Sequence, residues 1–69
     1  MQANQVKTAI AEVLNTYRSS VSIFINESLA RAAASKGRLA VVLVDDGFYA
    51  VVKYAHAAKL ETMGYAIAA

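Results

Sequence analysis

Arg31, Lys36 and Arg38 form the densest run of cations in the chain, and no acid stands between Glu27 and Asp45. Guanidinium and ammonium groups at this spacing can contact successive phosphates, the sequence-independent part of nucleic-acid recognition. The plain alternative is a helix end, where cations meet the negative pole of the dipole and the last carbonyls. Three charges are few and no nucleic-acid motif accompanies them, so a nucleic-acid partner is admitted here and not favoured. Asp45 and Asp46 are adjacent carboxylates that could ligate a divalent cation. Oxygen sites usually need more ligands than two side chains supply, and the solvated tip of a hairpin accounts for the pair. His56 is the one imidazole, and nothing near it in sequence completes an acid–base constellation.

The remaining chemistry is sparse. Gly37, Gly47 and Gly64 are too far apart for a phosphate-binding loop. The absence of cysteine removes thiol nucleophiles, disulfides and Cys-based zinc sites. Tyr17, Tyr49, Tyr54 and Tyr65, with Phe24 and Phe48, could stack on bases, but aromatics at helix and strand positions more often belong to a core or an interface. Neither catalysis, a cofactor nor a metal is expected from this inventory.

The clearest structural signal lies over residues 38–54. Leu39–Val44 and Phe48–Lys53 are apolar, β-branched runs around Asp45-Asp46-Gly47. Asp-Gly between such runs is a hairpin signal, because glycine accepts the positive φ of a type I′ turn. A two-residue loop at Asp46-Gly47 pairs Val44 with Tyr49, Val42 with Val51 and Ala40 with Lys53. Those six side chains then share one face, on which Lys53, near its end, is the single charge; the other face, ending at Tyr54, is apolar apart from a tyrosine hydroxyl. A hairpin with one wet face would alternate apolar and polar residues.

Upstream, Val6, Ala9, Ile10, Val13, Leu14 and Tyr17 follow the spacing of one helical face, and Val21, Phe24, Ile25, Ser28, Leu29, Ala32 and Ala33 continue it in phase. The pattern favours one helix over 4–35, about 48 Å long at 1.5 Å per residue, with Asn4 as N-cap and Gly37 as the residue after its end. The alternative breaks the helix at Arg18-Ser19-Ser20, makes 21–25 a strand on its β-branched content, and lets Asn26 cap a helix over 27–36. Downstream, Ala57, Leu60 and Met63 mark a short helix over 55–63, ended by Gly64, and residues 65–67 suit a short third strand.

These elements read as a single small α+β domain over 1–69, with a long or broken N-terminal helix, an antiparallel hairpin, a short helix and a last strand. Hydrophobic residues make up 58% of the 69, with a net charge of +2 and a pI of 9.2. No stretch resembles a signal peptide or a membrane span, and a reducing cytoplasm fits. A domain of this size buries only about 60% of its unfolded surface. The apolar fraction therefore suggests a homodimer, with Val42, Val44, Tyr49 and Val51 as the oligomer or partner surface. The expected function is a non-catalytic protein-binding or regulatory protein, of which a phage-type inhibitor of a host system, such as an anti-CRISPR, is one concrete form. The alternative is a nucleic-acid-binding module using Arg31, Lys36 and Arg38. On the dimer reading, Val42→Asp or Val51→Asp drives the particle towards monomer in sedimentation or unfolds it.

Overall fold

The hairpin forms where the sequence places it. In the computed structural model, which describes residues 2–45 and 47–68, β2 (Ala40–Asp45) and β3 (Phe48–Val52) are antiparallel. Gly47 takes the positive φ the turn requires, +80°; Asp46, the other expected loop residue, lies outside the described residues. The register, however, differs from the expected one. Asp45 opposes Phe48, as a two-residue loop dictates, but a bulge between Leu43 and Asp45 then shifts every later pair. Leu43 opposes Tyr49, Val42 opposes Ala50, Val41 opposes Val51 and Ala40 opposes Val52. One extra residue in one strand moves the rest of that strand by one pairing step, so Val42 and Val51 point to opposite faces.

The continuous helix over 4–35 does not form; the chain follows the broken alternative. The first helix, α1 (Ala3–Leu14), ends at Asn15, whose left-handed φ of 55° turns the chain. Asparagine tolerates that conformation better than most residues. The N–H of Thr16 then bonds to the Ala11 carbonyl at 3.0 Å. A 3-10 turn at Arg18–Ser20 leads into β1 (Ser22–Phe24), which pairs antiparallel with β3 from Ser22↔Val51 to Phe24↔Tyr49. The β-branched run gains a ladder and buries Val21 completely; helical phase alone offers neither.

The next helix, α2 (Glu27–Gly37), starts at Asn26, whose side chain accepts hydrogen bonds from the N–H groups of Ser28 at 2.8 Å and Leu29 at 3.3 Å. The expected caps at its far end and on α1 are displaced by one or two residues. Arg38, not Gly37, takes the left-handed turn, with φ 55°. A Cβ on Gly37 would come within 3.1 Å of the Leu39 side chain, so the glycine gives Leu39 room to fold back beneath α2. At the N-terminus, Asn4 lies inside α1 and its amide oxygen accepts from Arg18, while the Gln5 side chain accepts from the Gln2 N–H. Finally, α3 (Tyr54–Thr62) and β4 (Ala66–Ile67) follow the downstream expectation, with Gly64 at φ +100° between them.

The sheet order is β1-β3-β2-β4, antiparallel throughout. Each of the connections β1–α2–β2 and β3–α3–β4 passes over one intervening strand, and both step the same way across the sheet. Since β1 and β3 run in opposite directions, two crossovers of one hand place their helices on opposite faces. The packing follows suit. Val6, Ile10 and Leu14 of α1 and Ala57 and Leu60 of α3 bury Val42, Ala50 and Val52. On the other face, Ala30 and Ala34 of α2 bury Val41 and Val51. The accessible surface is 4351 Å², close to the roughly 4,200 Å² that size scaling gives for a compact chain of 7.3 kDa.

The expected surface of Val42, Val44, Tyr49 and Val51 is therefore corrected. Val42 and Val51 are 0% and 2% exposed, in separate cores. Val42→Asp and Val51→Asp place an unpaired carboxylate in a closed interior, so both should unfold the chain rather than merely dissociate it. Leu60→Ala, at a fully buried position, should cost about 2–5 kcal/mol in urea denaturation. Arg38→Gly should raise stability by about 1 kcal/mol, because glycine adopts the left-handed turn without the Cβ penalty.

Candidate interaction surfaces

The three cations singled out in the sequence do not act alike. Arg31 is committed within the fold. Its Nε bonds Glu27 one turn earlier at 2.9 Å, and one terminal nitrogen donates to the Ala68 carbonyl at 2.6 Å. It thus ties the residue after β4 to α2. Lys36, in the last turn of α2, and Arg38, at its end, are exposed. Lys59 also serves the fold, reaching the carbonyl of Leu14 at the end of α1 at 3.4 Å.

Register and element order bring other residues to the place Arg38 occupies. Ala40 opposes Val52 at the end of the hairpin away from its turn. Arg38 precedes that pair by two residues and Lys53 follows it by one, so the two cations flank one end of the sheet. Ser22 opposes Val51, which starts β1 at the same end. Arg18 lies four residues before Ser22, within about 14 Å along even an extended chain. Two strongly exposed tyrosines adjoin these cations in sequence: Tyr17 before Arg18, 82% exposed, and Tyr54 after Lys53, 65% exposed. A depression of about 370 Å³, open on one side, is lined by Asn15, Thr16 and Tyr17.

A second surface lies along β1. Among the described residues, β3 is its one neighbour in the sheet, so the outer side of its backbone has no ladder partner. No charged residue occurs from Ser19 to Asn26. Ile25 is 73% exposed and Leu29 is 58% exposed. Leu29 precedes Arg31 by two residues, about 200° around α2. Arg31 reaches towards β4, so Leu29 lies on the opposite flank, over the β1 side. Sequence reasoning missed this surface because Ile25 and Leu29 fall on the stripe of the single-helix reading, where they count as buried.

His56 stands in the first turn of α3, and its Nδ1 is buried with no hydrogen-bond partner. Among the described residues, no group of three or more His, Cys, Asp or Glu side chains is placed to hold a metal. No described helix is long and apolar enough to cross a membrane.

Arg31→Ala removes the tie to Ala68, and should cost about 1 kcal/mol through the lost charged hydrogen bonds. Amide exchange should show loss of protection at Ala66 and Ala68, whose N–H groups face β2, while β2 and β3 stay protected. Asn26→Ala should cost about 1 kcal/mol through the lost cap on α2, read as a lower urea midpoint. No protein-family model, curated protein or solved structure matches the chain, and its functional reading rests on these two surfaces.

Proposed function

We propose that this protein is a small, non-catalytic interaction protein that works as a homodimer joined through β1. The observation that carries the reading is the unpaired, uncharged β1 edge framed by Ile25 and Leu29. Sheet edges are ordinarily guarded by charge, proline or a covering element, because an open edge templates pairing with another chain. This edge carries neither charge nor proline.

A second copy is the occupant that the geometry suits. Two β1 strands related by a two-fold axis pair antiparallel, and one surface then complements itself. With the axis at Ile23, Phe24 of each copy lies across from Ser22 of the other. The two four-stranded sheets join into one of eight, and Ile25 and Leu29 are covered near the junction. The low end of the usual interface range is about 600 Å² per chain, or about one seventh of this chain's 4351 Å². Burial of exposed isoleucine and leucine supplies the apolar gain, and the backbone ladder supplies register.

Sedimentation at high micromolar concentration should give a particle of twice 7.3 kDa. The double variant Ser22→Lys, Ile25→Lys alters two exposed side chains. It should sediment as one chain, with circular dichroism and urea midpoint close to wild type. A wild-type monomer, or a double variant that remains dimeric, sinks the proposal.

A further inference from the structure

We infer that the end of the sheet opposite the hairpin turn binds single-stranded nucleic acid, with Lys36, Arg38, Lys53 and Arg18 on its phosphates and Tyr54 and Tyr17 against its bases. The proposal stands apart from the dimer and uses none of the β1 edge residues that hold it together.

The first argument is charge segregation. The segments that build this end are free of acids: residues 13–26, 28–44 and 47–60 contain no Asp or Glu, yet hold six of the seven cations. Three of the six donate hydrogen bonds within the fold: Arg31 to the Ala68 carbonyl, Lys59 to the Leu14 carbonyl and Arg18 to the Asn4 amide oxygen. Arg18 stays exposed all the same, and with Lys36, Arg38 and Lys53 it gathers at or near the ends of β1, β2 and β3 that lie away from the turn. The acids Glu27, Asp45 and Glu61 lie towards the other end: Glu27 just after β1 ends, Asp45 at the hairpin turn, Glu61 near the finish of α3. Glu12, in the last turn of α1 and three residues before Asn15, is the one further described acid, against four exposed cations. An end with a positive excess on a molecule 25 Å in its longest dimension has a field that draws a polyanion to it.

The second argument is the pair of tyrosines. Tyr17 and Tyr54 are the most exposed aromatics described, and each is the sequence neighbour of one of these cations. Rings beside cations are the elements of a stacking platform for unpaired bases. In a duplex the bases are already stacked on one another, and their faces are closed to a tyrosine ring. The open depression beside Tyr17 adds room next to one of the rings. Cations alone would serve an acidic lipid surface equally well; exposed rings next to them favour a strand with splayed bases.

Fluorescein-labelled oligothymidine, a mixed-sequence DNA duplex and vesicles containing phosphatidylserine separate these ligands. Oligothymidine should bind at low salt, with log K falling against log salt at a slope of about −3 for four phosphates neutralised. Tyr54→Ala should weaken binding by at least about fivefold, the low end for loss of one stacked base, and leave that slope unchanged. Lys53→Ala should weaken binding and reduce the slope by about 0.7. Arg38→Gly should do the same while its urea midpoint rises, so its loss of binding is not a loss of fold. No binding at low salt, an unchanged affinity in Tyr54→Ala, or tighter binding to the duplex or the vesicles overturns the proposal.

Discussion

Both faces of the β2–β3 ribbon are apolar, and neither can be left in water. Most of the architecture follows from that constraint. A single helix laid on one face would leave Val41 and Val51, or Val42 and Val52, uncovered. The chain answers with helices on both sides, and for that the N-terminal half must be divided. One part, α1, lies with α3 on the face of Val42 and Val52; the other, α2, crosses to the face of Val41 and Val51. The strand between them, β1, is the piece of chain that carries the path from one layer to the other.

Such thin layers depend on small side chains. Ala30, Ala34, Ala40, Ala50 and Ala57 are all buried, and they let helix and sheet backbones approach within the reach of valine. Small residues give up less apolar area each than leucine or phenylalanine, but they allow two cores where a chain of this length would ordinarily have one. The same residues explain why composition overstated the need for a partner on the hairpin face. Fifteen of the 69 residues are alanine, counted as hydrophobic yet cheap to expose, and Ala9, Ala32, Ala55, Ala58 and Ala66 lie on the surface.

The elements legible in the sequence were those fixed by local chemistry. Asp-Gly between β-branched runs gave the hairpin, Gly64 the end of α3, and Asn26 the cap of α2 in the broken reading. What escaped was set by tertiary contact. The in-phase stripe from Val6 to Ala33 is genuine periodicity, but the free edge of β3 offers residues 22–24 a ladder that periodicity cannot report. Arg38 takes the left-handed turn because Leu39 must reach the core, a demand invisible to residue preferences. At the candidate sites, Lys36 and Arg38 were legible as charge. Lys53 and Tyr54 required the hairpin register to be placed beside them, and Arg31 looked like its neighbours until the last strand was seen to claim it.

The bulge at Val44 leaves one residue of β2 outside the pairing count. Side chains of several shapes could occupy that position, since it lies near the turn and is only half-buried. Loss of the position would straighten the strand without moving its partners: Leu43 would still stand across from Tyr49 and Val42 across from Ala50. A residue gained or lost further along β2 has no such slack, because it would exchange the inner and outer lanes of that strand relative to its neighbour. Descendants of this gene can therefore lose a codon at Val44 far more freely than in the paired stretch from Ala40 to Leu43.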